Sequence, residues 1–260
     1  MTVTEEITSN HPLVSLDNVS INFGGVLALD KVNFEVFGGE IVALVGDNGA
    51  GKSTAVKVIA GNLQPNSGTL RVGNESVTVN DPQRAVELGI ATVYQDLALC
   101  DNLDAVKNLF LGNEIIRKFP SRLQRAKMET QALEIFEQIN VKLKSLTLPV
   151  NRLSGGQRQA VAISRVLLKN PSVVLMDEPT AALGIAQRIQ VVELMERLRE
   201  QGKGVILISH DLEDVRRLAD RVVVLRLGRV VARFSRHHYS TGDLIASITG
   251  ATSNEAESIK

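Results

Sequence analysis

The chain has 260 residues with 29 basic and 29 acidic side chains, hence zero formal charge, and is 44% hydrophobic and 22% charged. That composition can fill a sizeable core and excludes a disordered chain, while the missing basic surplus counts against a dedicated nucleic-acid binder. A single cysteine, Cys100, excludes an intrachain disulfide, and no apolar run approaches the roughly 20 residues of a membrane span.

From the first residue on, polar stretches at 1–12 and 251–260 read as flexible tails, and the acidic start is wrong for a secretory leader. The expectation is a soluble, cytosolic chain. Between the tails, strands are predicted at Leu13–Asn22, Lys31–Val36 and Glu40–Val45, then a helix at Lys52–Ala60 and a strand at Thr69–Val72. Asp81 before Pro82 reads as a helix cap with proline at the first turn, opening a helix at Pro82–Leu88 before a strand at Ala91–Tyr94. From Leu97 to about Asn151 helical periodicity dominates, with helices at Leu103–Leu111 and Arg122–Ile139. In the latter, Leu123, Ala126, Leu133, Phe136 and Ile139 form the expected buried stripe. A helix at Gly156–Leu168, a strand at Ser172–Asp177, a helix at Ala186–Gln201 and a strand at Gly204–Ser209 follow. The chain closes with a helix at Leu212–Ala219, strands at Arg221–Arg226 and Arg229–Phe234 joined by a tight Leu227-Gly228 turn, and a helix at Thr241–Ile248. Ile41–Val45, Val173–Met176 and Val205–Ile208 are apolar without alternation, which marks strands covered on both faces and a mainly parallel α/β sheet.

Three motifs carry chemistry. Gly46, Asp47, Asn48, Gly49, Ala50, Gly51, Lys52 and Ser53, followed by Thr54, satisfy the P-loop pattern between a buried strand and a helix. Glycines let the backbone curl so that successive N–H groups face a phosphate, Lys52 supplies a cation, and Ser53 offers a hydroxyl to Mg²⁺. Asp177 and Glu178 end a buried strand at the edge where α/β sheets bind ligands. There Asp177 suits Mg²⁺, and Glu178 suits the water that attacks a terminal phosphate. Ser154, Gly155, Gly156 and Gln157 open a long helix, with Ser154 as its cap and the glycines allowing close approach of an anion. The sole cysteine reads as a small apolar filler, and Arg226, Arg229, Arg233, Arg236, His237 and His238 read as a solvated face of the last hairpin.

In this order the three motifs resemble the ATP-binding cassette family, over about 13–250. The resemblance implies a P-loop NTPase core with a mainly parallel sheet, an N-terminal antiparallel β part and an inserted helical subdomain at about 96–165. It implies that Phe23 stacks on adenine, that Gln95 touches Mg²⁺ or the attacking water, and that His210 senses the γ-phosphate. It further implies that Ser154 to Gln157 close over ATP held by a second copy, making a homodimer with composite sites. The tracts Tyr94–Leu103, Asn108–Gly112 and Thr180–Gln187 resemble the monosaccharide-importer branch, except that Gly184 stands where the wider family has aspartate. The expectation is a Mg²⁺-dependent ATPase on the inner face of the cell membrane. It would drive a separate permease fed by an extracytoplasmic sugar-binding protein, with no nucleic-acid partner. Two alternatives stay open: a cassette acting on nucleic acid or ribosomes, and a regulatory ATP sensor.

Overall fold

The computed structural model describes residues 11–251 except 80, 118, 120, 121, 142, 144 and 182. Most of the two expected tails therefore lies outside the described residues. Strands β1 (Val14–Phe23), β2 (Val26–Val36), β3 (Ile41–Val45), β4 (Ser67–Val72), β5 (Glu75–Val77) and β6 (Ile90–Val93) form in the first part. Helices α1 (Lys52–Ile59) and α2 (Pro82–Glu87) interrupt them. Helix α3 (Ala105–Phe110), a two-residue pair β7 (Ile116–Arg117) and β8 (Arg122–Leu123), α4 (Arg125–Gln138) and α5 (Gly155–Leu167) follow. The last part holds β9 (Val173–Asp177), α6 (Ile185–Glu200), β10 (Gly204–Ile208), α7 (Leu212–Leu218), β11 (Arg221–Arg226), β12 (Arg229–Ser235) and α8 (Thr241–Thr249).

Two main sheets result. One is antiparallel, β2-β1-β4-β5; the other is β12-β11-β3-β10-β9-β6, parallel except for the β11–β12 hairpin. The three unbroken apolar runs become β3, β9 and β10 in the middle of that sheet. Their side chains alternate between the two faces: Val42, Leu44, Val173 and Ile206 join the core with α1 and the antiparallel sheet, while Ile41, Val174, Met176 and Val205 join the core of the helical layer. Ala43 and Val45 join a third core with α7, β11 and α8. Burial on both faces is what removed the alternation from the sequence.

Helices α3, α4 and α5 share the second core with the sheet. Asn108, fully buried on α3, accepts from the Cys100 amide and donates to the Cys100, Leu103 and Asp104 carbonyls, stitching the preceding loop to the helix. The buried face of α4 differs in part from the expected stripe. Leu123 is 62% exposed and belongs to β8, Ala126 and Leu133 are also exposed, and the core side is Met128, Ala132, Ile135, Phe136 and Ile139. Phe136 and Ile139 are buried as expected, whereas the N-terminal part of the stripe fails because the helix starts three residues later than expected.

Local signals held where a cap or turn fixes the backbone. The Asp81 side chain accepts from the Arg84 amide at 2.8 Å with Pro82 at the first turn. Asp81→Ala is expected to lower stability by about 1 kcal/mol, read as a small fall in Tm. The arginines of the last hairpin are not a bare cationic face: Arg229 pairs with Asp30, Arg236 with Asp220, and Arg233 donates to the Asn33 carbonyl.

Candidate functional site

Strands β3, β6, β9 and β10 run parallel, so their C-terminal ends lie along one sheet edge. The P-loop leaves β3, Gln95 follows β6, Asp177 and Glu178 end β9, and His210 follows β10. Topology therefore brings four separate sequence motifs to one place.

The loop after β3 takes its shape from left-handed backbone at Gly46, Gly49 and Gly51, with φ of 152°, 76° and 106°. Two of these also need the missing Cβ. At Gly46 it would lie 2.2 Å from the Leu225 carbonyl, and at Gly51 2.7 Å from the Ala28 carbonyl. The Leu227-Gly228 turn braces the loop from outside, since the Gly228 amide donates to the Ala50 carbonyl at 3.0 Å and its own carbonyl accepts from Asp30 at 2.8 Å. This brace was not foreseen; the turn was visible in the sequence, but its contact with the loop is a product of tertiary packing.

Lys52 is only 6% exposed and donates to the Gly46 and Asp47 carbonyls at 2.8 and 3.0 Å. Burial pulls its pKa down, while the charges of Glu178, Asp47 and Asp177 hold it up. Asp47, Asn48, Gly49 and Ser53 are exposed, and Thr54 is half-buried on the first turn of α1. Asp47 also receives the Asn48 amide on its own carboxylate at 2.7 Å.

Glu178 sits at φ 51°, in left-handed backbone that non-glycine residues rarely adopt, with its amide bound to the Ile208 carbonyl at 3.0 Å. Its Oε1 is buried and receives no aligned hydrogen bond, and His210 Nε2 lies 3.2 Å from it, an ion-pair distance. Burial raises the Glu178 pKa, with the His210 charge and Lys52 opposing. Asp177 is likewise raised by burial, against Lys52 and His210. The His210 backbone is set by a turn in which the Asp211 amide donates to Ser209 Oγ at 3.0 Å.

Gln95 is exposed just past β6. The loop that follows is tied to α5, where Arg165 donates to the Leu97 and Ala98 carbonyls. Phe23 is 52% exposed at the β1–β2 turn, and β2 comes against the P-loop five residues later at Ala28. Ser154 caps α5 reciprocally, its Oγ accepting from the Gln157 amide and Gln157 Oε1 accepting from the Ser154 amide. Among the described residues no hydrogen bond or ion pair joins 154–157 to 46–54; Gly155 and Gly156 lie instead against Leu183, Gln187 and Gln190 of α6 and the turn before it. The structure thus gathers the P-loop, Gln95, Asp177, Glu178 and His210, and leaves the Ser154 tract apart.

These residues fit a nucleotide and Mg²⁺. A buried lysine, the N-terminus of α1 and a loop with no room for a Cβ at Gly46 and Gly51 suit a polyphosphate. Ser53, Gln95 and Asp177 are oxygen donors, the type Mg²⁺ takes, and Mg²⁺ draws its other ligands from water and phosphate.

The fructose import ATP-binding protein FrcA of Rhizobium meliloti is 38% identical over 257 residues, covering 96% of this chain and 99% of that protein. The xylose/arabinose import ATP-binding protein XylG of Sulfolobus acidocaldarius is 41% identical over 219 residues, covering 84% and 86%. The ribose import ATP-binding protein RbsA of Yersinia pestis is 37% identical over 239 residues, and this chain spans 46% of its length. Among solved structures, a nucleotide-free ATP-binding cassette from an ABC transporter superposes with a TM-score of 0.78 at 25% identity, covering 93% of this chain and 96% of that one. A dimeric cassette in a post-hydrolysis state, bound to ADP and Pi, gives 0.71 at 28% identity, covering 87% and 100%. With the model of the ABC transporter family matching residues 29–181, the chain belongs to that family.

Proposed function

We propose that this chain is the ATP-hydrolysing subunit of an importer that takes up a monosaccharide through a separate permease. The observation that carries the reading is the convergence of Lys52, Asp177, Glu178 and His210 at one sheet edge, supported by relatives named for fructose, xylose/arabinose and ribose import. No helix among the described residues is long and apolar enough to cross a membrane, consistent with a permease supplied by other chains. The cassette works at the inner face of the cell membrane, fed from outside by a sugar-binding protein.

In this reading Phe23 stacks on adenine, residues 46–54 wrap the phosphates, and Lys52 neutralises charge on the terminal pair. Ser53, Gln95 and Asp177 would hold Mg²⁺, which when bound offsets the charge of the phosphate oxygens. Glu178 takes the proton from the attacking water as the new P–O bond forms and the bond to the leaving ADP oxygen breaks. A raised carboxylate pKa makes Glu178 a better proton acceptor than a free carboxylate. His210 faces the Glu178 oxygen at 3.2 Å and senses the γ-phosphate. Residues 96–165 form the helical subdomain that reports to the permease.

Because 154–157 lie apart from the P-loop of their own chain, they complete the site of a second copy, and the working unit is a homodimer. Lys52→Ala and Gly156→Asp chains, each inactive alone, are expected to regain about a quarter of the wild-type sites when mixed in equal amounts. Phosphate release from ATP reads the outcome. A mixture as inactive as its components, with both chains folded and dimeric, would rule out composite sites.

A further inference from the structure

We propose that Arg188 is a positioning residue for hydrolysis, clamping the segment after Glu178 to the turn that carries His210. The inference rests on the reading of Glu178 as the base. Thr180, two residues beyond Glu178, donates its hydroxyl to Asp214 Oδ2 at 2.8 Å. Arg188, on the first turns of α6, donates through Nε to Asp214 Oδ1 at 2.7 Å. It also reaches Asp211 Oδ2 at 2.7 Å through a terminal nitrogen. Asp211 directly follows His210 and caps α7, accepting from the Glu213 and Asp214 amides.

Asp214 is only 4% exposed, and each of its oxygens has a separate partner, one on the Glu178 segment and one on α6. A charged group so buried is expensive unless it is fully paired, and Arg188 and Thr180 supply that pairing. The position of Arg188 is itself informative. No acid stands in the first turn of α6, and a cation there opposes the helix dipole. The two aspartates outweigh that cost. One guanidinium and one buried carboxylate thereby hold three segments: the turn at 178–180, the start of α6 and the turn at 209–211. The 3.2 Å approach of His210 Nε2 to Glu178 Oε1 lies between the first and the last of them.

Arg188→Met removes both ion pairs while keeping the aliphatic stem; Thr180→Val removes the other bond to Asp214 in case the first variant folds poorly. Both are expected to lower kcat about 10- to 100-fold, with KM for ATP changed less than about twofold. Thr180→Ser should keep turnover because it keeps the hydroxyl. Arg188→Lys should not, since an ammonium lacks the fork that spans two carboxylates. Wild-type kcat in Arg188→Met or Thr180→Val, or losses that merely track the folded fraction seen in Tm, would overturn the proposal. A wild-type chain that releases no phosphate from ATP would remove the reading of Glu178 and this inference with it, an outcome distinct from equal turnover in all variants.

Discussion

Glu178→Gln is expected to cut ATP turnover by about 10²- to 10⁴-fold while leaving ATP binding intact, the range for loss of a positioned base. The amide keeps the shape of the carboxyl and can still meet His210, but it cannot take a proton from water. The same change should raise the Tm of the nucleotide-free chain. Burial holds the Glu178 pKa above its ordinary value of 4.5, so the ionised form is disfavoured by folding. With the folded pKa raised, stability is greatest below the unfolded pKa and is lost as pH rises through the folded one. At neutral pH the buried charge is a cost, and the neutral amide removes it. Loss of the charge also removes one support of the Lys52 ammonium, but Asp47 and Asp177 remain. Turnover of the wild type should likewise fall on acidification at a pH above that of an ordinary glutamate. Phosphate-release assays across pH, paired with thermal melts, check both signs. An equally active Glu178→Gln chain would remove Glu178 from the role of base.

Gly46→Ala should be the most damaging single-methyl change in the P-loop, and Gly49→Ala a mild one. Both positions are left-handed, so each alanine carries backbone strain. At Gly46 the added carbon would also lie 2.2 Å from the Leu225 carbonyl and 3.0 Å from Ala50 Cβ, both fixed by β11 and the loop itself. Gly49 has nothing within 4 Å. The expected costs are about 3 kcal/mol or more for Gly46→Ala and about 1–2 kcal/mol for Gly49→Ala. In a domain of this size the first corresponds to a Tm fall of roughly 6–12 °C, with loss of ATP binding as the loop shifts. Equal melting temperatures for the two variants would contradict the steric account.

What could be read from the chain alone was whatever depends on short-range chemistry. The P-loop glycines, the Asp81 cap, the 227–228 turn and the doubly buried β3, β9 and β10 all carry their reasons locally, and each took the expected form. Elements held by partners far along the chain were harder. The first half of β2 was not anticipated: Val26 and Leu27 are exposed, and the strand exists because it pairs with β1 across bulges. The three-residue β5 depends on β4 in the same way. Of the α4 stripe Phe136 and Ile139 are core, while Leu123 is lost to the strand pair β7–β8, which takes residues that look helical in isolation.

The site divides along the same line. Asp177 and Glu178 stand at the end of an apolar run that marks a strand, and His210 follows another and is singled out by the family resemblance. Asp214 and Arg188 could not be singled out, because each is an ordinary charged residue on a helix until the fold turns them toward Thr180 and Asp211. The nearest available signal was the Ser-His-Asp run at 209–211, which announces a capped helix immediately after a buried strand.

In the proposed function residues 46–54 hold the triphosphate of ATP through the buried Lys52 cation. Calorimetric titration of the purified chain with ATP and Mg²⁺ tests it most directly. The account predicts one ATP per chain for the wild type and loss of that binding in Lys52→Ala at unchanged fold. No binding by the wild type, or undiminished binding by the variant, would contradict it.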